Sequence, residues 1–193
     1  MLWHQLLKLL HKGVKLTLEA AAIDGTLVPS FAFADTTSYS GKHHKTGTKV
    51  SLVVDESGLP LAHEAACGST HDITLAPQTV EKIPVSIRAC INTMLGDKGY
   101  DSSQFRSFLA EKGMSSDIPQ RELPIVYRQK ILMGNLKRRK NHKANVKRFV
   151  IERINAWTKS FRRLRFRFDY TMLSFSAFLN LAFVVICVRK LMS

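Results

Sequence analysis

Hydrophobic positions recur along this chain with two different periods, and the changes of period mark its elements. Leu2, Leu6, Leu9 and Leu10 fall at helical spacing, which predicts a short amphipathic helix over 1–15. Residues 17–24 and 26–28 read as a first strand region closed at Gly25. The Ser/Thr/Gly/His/Lys-rich stretch 30–47 predicts a polar loop. Strand patterns over 48–55 and 59–66 flank the turn Glu56-Ser57-Gly58, so 48–66 reads as a hairpin.

Beyond the hairpin the pattern turns helical again. Gly68 to Asp72 leads into a helix over about 72–82, where a hydroxyl or Asp72 would cap free N–H groups. An apolar strand over 90–96 ends at Asp97. Ser102 and Ser103 can cap a helix over about 103–112, which Gly113 stops. Residues 115–119 are short and extended, ending in Pro119. Residues 120–142 are basic and irregular, and a long helix over about 143–164 follows. After 165–170 comes an apolar helix over 171–188. Hairpin strands followed by alternating helices and strands indicate a mixed α/β sheet.

At 193 residues the chain is long enough for one domain with a sizeable core, and its apolar fraction of 45% is ordinary. The net charge of +14 is not ordinary, and its placement matters more than its size. Residues 128–167 hold 15 Lys/Arg and one acid, Glu152, whereas residues 1–127 hold 12 Lys/Arg and 13 acids. A near-neutral body thus carries one very basic segment, which favours a polyanion because each neutralised phosphate releases condensed counterions. Cys67, Cys90 and Cys187 form no C-x-x-C pair, which argues against a disulfide framework or zinc site and fits a reduced, cytoplasmic setting. The segment 171–188 is near the lower length limit for spanning a bilayer and contains Ser174, Ser176 and Asn180. It is read as a buried helix, with no membrane partner.

Three acidic residues sit where metal ligands would. Asp24 lies in AAAIDGTLV, Asp97 in TMLGDKGYDS, and Glu152 in RFVIERINAWTK. Two aspartates at strand ends and a glutamate on a basic helix suggest a divalent-metal site that works on a phosphate backbone. On a helical wheel, Val150, Ile154, Trp157, Phe161 and Leu164 share an apolar face suited to the core. Arg148, Glu152, Asn155 and Lys159 form the opposite, polar stripe. The plain alternative is an i,i+4 pair of Arg148 and Glu152 on a surface helix, worth about a few tenths of a kcal/mol. That alternative leaves the two aspartates unexplained.

The succession D-G-T, G-x-x-H-D, G-D-K-G-Y-D and R-x3-E-x6-K resembles the DDE transposases of bacterial insertion sequences, of the insertion sequence family five/four type. Arg148, Glu152 and Lys159 match R-x3-E-x6-K residue by residue, while Asn145 stands where the family carries a tyrosine. The resemblance covers nearly the whole chain. It implies an RNase H-like catalytic domain over 17–193, with 1–16 the end of an N-terminal helical region. It implies Asp24, Asp97 and Glu152 as catalytic residues holding a pair of Mg2+ or Mn2+ ions. Arg148, Lys159, Lys98, Arg162 and Arg163 would contact DNA.

The activity implied is strand cleavage at insertion-sequence ends and 3′-OH transfer into target DNA. It would take place at the nucleoid, with a homodimer joining two ends. The alternative is a shortened, inactive relative that only binds DNA through 128–167. Several residues keep two readings. His71 and Asp72 match the family's H-D step or cap a helix, and Lys98 and Tyr100 touch DNA or close the turn. His43, His44 and Lys45 read as solvated or backbone-contacting groups rather than a metal site. Asp55 reads as structural, Asp101 as a helix-start residue and Trp157 as core.

Overall fold

The structure, a computed structural model, describes residues 2–13, 15–120, 155–156 and 158–192. Helix α1 (Leu2–Lys12) precedes strands β1 (Ala20–Pro29), β2 (Ser38–Ser40), β3 (Lys45–Asp55) and β4 (Pro60–Cys67). Helices α2 (Asp72–Glu81) and α3 (Val85–Arg88) lead to β5 (Thr93–Leu95). Helix α4 (Ser103–Glu111) leads to β6 (Ser115–Asp117), and the chain closes with α5 (Arg162–Arg165) and α6 (Met172–Met192).

Strand β3 is the hub of the sheet. It pairs antiparallel with β1 from Ala21↔Asp55 to Pro29↔Gly47. On its other side it pairs antiparallel with β2 and β4, so these two share one edge. Strand β5 joins β1 in parallel, and β6 joins β5 in parallel. Parallel neighbours need crossover connections, and α2 with α3 and then α4 supply them. The order β4-β3-β1-β5-β6, antiparallel through β1 and then parallel, with the short β2 beside β3 and helices covering the sheet, is the RNase H-like arrangement that the resemblance implied.

Helices cover the sheet, and β1 and β3 are accordingly buried along most of their length rather than at alternate residues. Leu75, Ala76 and Val80 of α2 and Phe105 and Leu109 of α4 enter the core. Trp3, Leu7 and Leu10 of α1 are buried with Phe183 of α6, the Trp3 and Phe183 rings 5.2 Å apart. Helix α6 buries Phe175, Leu179, Ala182, Phe183 and Ile186 but turns Leu173 and Leu181 to solvent, so only one face of the expected buried helix is covered. By length and composition alone α6 could also cross a membrane, with a mean hydropathy of 2.0.

Several boundaries differ from the sequence expectation. Strand β1 runs straight through Gly25 instead of ending there, because β3 pairs with it on both sides of that residue. The expected loop 30–47 contains β2 and the start of β3, since the β2–β3 turn closes a tight hairpin with His44 at φ 49°. Helix α3 was not expected, and β5 is shorter than 90–96. Most of the expected helix 143–164 lies outside the described residues. Asn155, Ala156 and residues 158–160 are helical, but the helix breaks at Phe161, whose ψ is 116°. Phe161 begins α5 instead, which carries Leu164 into the core.

Candidate active site

Asp24 stands at the middle of β1, not at a strand end, and β3 supports it through the Asp24↔Leu52 pair. Its Oδ1 accepts a hydrogen bond from Gly25 N at 2.8 Å. Its Oδ2 accepts one from Asn155 Nδ2 at 3.1 Å. The second contact spans most of the sequence. It brings Asn155, one residue of the polar stripe read from the helical wheel, onto the first strand.

Asp97 follows β5 by two residues. The parallel register ends at Ala22↔Leu95, and Asp24 and Asp97 each lie two residues beyond that last pair. Asp97 caps the single 3-10 turn Lys98–Tyr100 by accepting from Gly99 N at 2.7 Å. The G-D-K-G-Y motif thus has a local structural cause. The aspartate orders its own turn while one carboxylate oxygen stays outside that bond. Tyr100 closes the turn inward and is buried, and Lys98 is exposed.

The H-D step does not cap α2 through a side chain. His71 occupies the N-cap of α2 without a side-chain capping bond. Asp72 instead pairs with Lys49 Nζ at 3.0 Å, and Lys42 Nζ stands 4.0 Å from its other oxygen. Lys49 is only 3% exposed, an unusual place for a lysine that the sequence did not single out. It lies on β3 opposite Leu27, on the Gly25 side of the sheet and away from the Asp24 side chain. Close by, the buried Thr79 hydroxyl donates to Leu75 O at 2.7 Å and shares a hydrogen bond with Ser51 Oγ at 2.9 Å. Burial raises the Tyr100 hydroxyl well above the ordinary tyrosine range. The charges of Asp72, Asp24 and Asp97 add to the effect, and Ser51 opposes it. That hydroxyl has no hydrogen-bond partner of normal geometry among the described residues.

Of the expected DNA contacts, Lys98, Lys159, Arg162 and Arg163 are exposed. Arg163 also has structural work, pairing with Asp169 at 3.0 Å and lying 4.3 Å over the Phe178 ring. His43 is shifted down by partial burial, then by Lys49 and Lys42, against Asp72, with Lys159 adding a smaller downward push. The β2–β3 turn and Lys159 therefore share one electrostatic neighbourhood. Glu152, Arg148 and Trp157 lie outside the described residues.

The two remaining acids behave as structural groups. Asp55 is buried and accepts from Thr17 N at 3.1 Å, Leu59 N at 2.7 Å and Ser57 Oγ at 2.9 Å. Asp101 pairs with Arg106 at 2.7 Å rather than capping a helix, a role that Ser102 takes by accepting from Phe105 N at 3.5 Å.

A family model described as the transposase DDE domain matches residues 16–187. The chain belongs to the transposase DDE domain family. A protein of Burkholderia cepacia named as a transposase for insertion sequence element IS402 is 31% identical over 152 residues. That match takes in 74% of this chain and 64% of the relative, so the chain spans a little under two thirds of the relative's length. Among solved structures, the catalytic core domain of BIV integrase aligns with a TM-score of 0.47 at 14% identity, covering 86% of this chain and 82% of that one. The catalytic domain of Mos1 mariner transposase aligns with a TM-score of 0.36 at 12% identity, covering 97% and 91%. The fold assignment rests on the strand order of the DDE domain itself.

Within the DDE domain, oxygen donors suit Mg2+ or Mn2+. Asp24 on β1 and Asp97 just past the end of β5 supply carboxylates, and both act on the Tyr100 hydroxyl. Among the described residues no group of three His, Cys, Asp or Glu side chains gathers closely enough to hold a metal. The donor type fits such an ion, and Glu152, the third carboxylate of the expected set, lies outside the described residues.

Proposed function

We propose that this DDE domain cleaves DNA strands at insertion-sequence ends and joins the freed 3′-hydroxyl to target DNA. Asp24, Asp97 and Glu152 are the catalytic residues in this reading and the holders of a pair of Mg2+ or Mn2+ ions. The observation that carries it is the 3.1 Å hydrogen bond from Asn155 to Asp24. On the helix expected over 143–164, Glu152 lies one turn before Asn155 and about 60° away on the same polar stripe. A helix whose stripe reaches Asp24 at residue 155 is well placed to deliver its glutamate there.

When bound, the ions supply Lewis-acid stabilisation of phosphate charge and favour deprotonation of the attacking oxygen. The carboxylates hold and orient that charge, and without it they would repel one another. In cleavage, water attacks phosphorus and the P–O bond to the 3′ oxygen breaks, leaving a 3′-hydroxyl and a 5′-phosphate. In transfer, that 3′-hydroxyl attacks a target phosphodiester, and the displaced target 3′ oxygen takes up a proton. Arg148, Lys159, Lys98, Arg162 and Arg163 bind the backbone phosphates, and two copies hold two ends at the nucleoid.

The test is cleavage of supercoiled DNA carrying the element ends, with Mg2+ or Mn2+, by wild type and Asp97→Ala. Metal-dependent cutting that the substitution abolishes supports the reading. Salt-sensitive DNA binding by both proteins with cutting by neither would replace it with a binding-only role for the basic segment.

A further inference from the structure

A cluster of exposed aromatic side chains lies beyond the end of β1 and after α5. Phe31, Phe33, Phe168 and Tyr170 are 43%, 66%, 53% and 63% exposed. Phe31 and Phe33 stack with ring centroids 5.2 Å apart and planes 7° from parallel. Phe166 meets Phe31 edge-on at 4.9 Å and Phe168 at 5.0 Å. Soluble proteins seldom expose a contiguous apolar patch of this kind unless something binds it.

The patch is held in place by a buried arginine. Arg167 is fully buried and bonds to both loops that carry the rings. Its guanidinium donates to Asp35 O at 2.8 Å, Thr48 Oγ1 at 2.7 Å, Asp169 O at 3.0 Å and Tyr170 O at 3.0 Å, and it pairs with the Asp35 carboxylate. Its backbone bridges to Ser30, and Asp35 N donates to Tyr170 O at 2.9 Å. Burying a guanidinium is costly unless it is fully bonded. Here the bonded arginine fixes two loops so that their phenylalanines face outward.

The surroundings say what the rings face. Helix α5 leads directly into Phe166, and its Arg162, Arg163 and Arg165 are exposed, as is Lys159 just before it. Aromatic faces beside a cationic track match a single strand of nucleic acid, whose bases stack while its phosphates follow the charge. A second copy of this chain is a poorer occupant. A two-fold contact through this patch would bring the same arginines toward each other.

We propose that Phe31, Phe33 and Phe168 form a stacking platform for unpaired bases of single-stranded DNA, with α5 holding the adjoining phosphates. The proposal rests on the reading above that DNA is the partner.

The test measures fluorescence anisotropy of an oligothymidine of about 15 nucleotides, within the usual range of single-strand site sizes, and of a duplex of the same length. The full chain would be compared with Phe33→Ala, Phe168→Ala and Phe33→Trp, with sedimentation velocity on each. Each alanine should weaken single-strand binding about 10-fold, as loss of one stacked base does. Duplex binding should stay within about two-fold, because duplex bases are not offered for stacking. Tryptophan at 33 should keep the affinity. Equal losses on both DNAs, or none, would overturn the platform, as would a fall in sedimenting mass without a change in affinity, which would assign the patch to a second copy. If wild type bound neither DNA, the functional reading would fail first; retained duplex binding with unchanged single-strand binding would sink the platform alone.

Discussion

The carboxylate of Asp72 fills the space that a side chain on Gly25 would need. A Cβ at residue 25 would lie 1.9 Å from Asp72 Oδ1 and 2.5 Å from its Cγ. The glycine of D-G-T and the aspartate of H-D are therefore two halves of one contact, made across the strand that carries Asp24. Gly25→Ala should destabilise the domain by about 2 kcal/mol through overpacking. Urea unfolding of Gly25→Ala, Asp72→Ala and the double variant checks it. The double variant should lose less than the two single losses added together. Strict additivity would show that the two residues do not meet.

Asp72→Ala alone has a second cost, because it strands Lys49 inside the sheet without its partner at 3.0 Å. A loss of about 3 kcal/mol is expected, as for other broken buried pairs. Replacing both residues, Lys49→Met with Asp72→Ala, should recover part of it. A double variant no more stable than Asp72→Ala would argue against a strong buried pair.

Asn155→Ala removes the amide that donates to Asp24 Oδ2. In the cleavage assay the rate should fall about 10-fold, the scale of one lost hydrogen bond to a charged group. Asn155→Asp should be worse, since it places a further negative charge beside Asp24, and extra Mn2+ should recover part of its loss. Rates equal to wild type for both variants would remove Asn155 from the site.

Arg167→Met tests the buried staple. It removes the guanidinium from the Thr48 hydroxyl and the Asp35 and Asp169 carbonyls, and leaves the Tyr170 carbonyl with the Asp35 amide alone. A loss of about 3 kcal/mol is expected, which for a domain of this size lowers Tm by roughly 6–12 °C. Calorimetry reads it directly, and a shift below about 2 °C, less than 1 kcal/mol would give, would contradict the network.

His63 gives the pH dependence a direction. Its Nε2 lies 2.9 Å from Asn180 Oδ1, its Nδ1 is shut from solvent without a partner among the described residues, and its ring lies near Trp3 and Phe183. Burial lowers its pKa below the ordinary 6.5, against a smaller raising effect from Asn180. Below that value the unfolded chain takes up the proton and the folded one resists it. Stability is therefore present above pH 6.5 and is lost as the pH falls through the lower folded pKa. His63→Phe should flatten the fall in Tm between about pH 7 and pH 5. An unchanged slope would assign the acid sensitivity elsewhere.

Local order was legible in the residues because short-range physics decides it. The hairpin over 48–66, the helix stopped by Gly113 at φ +78° and the amphipathic α1 needed only periodicity, turn chemistry and caps. Gly25 was misread as a strand end because a glycine in a strand weakens it locally. Strand β3 pairs with β1 on both sides of that residue and carries the strand through it, and the missing side chain makes room for Asp72 of α2. Phe161 was misread as mid-helix because the wheel carries no information on where Leu164 and Arg167 must go.

The sequence by itself determined the α/β class, the family, the concentration of charge in 128–167 and the identity of the candidate carboxylates. Each depends on residue type and spacing along the chain. Only the tertiary structure decided that Asp24 and Asp97 each follow the last β1–β5 pair by two residues, that Asn155 reaches Asp24 across the fold, and that Asp72 sits beneath the strand against Lys49. It alone decided that Arg167 holds four phenylalanines at one surface. These are contacts between segments distant in sequence. They follow from strand register and from how buried charge finds partners, which become determined only once the sheet has formed.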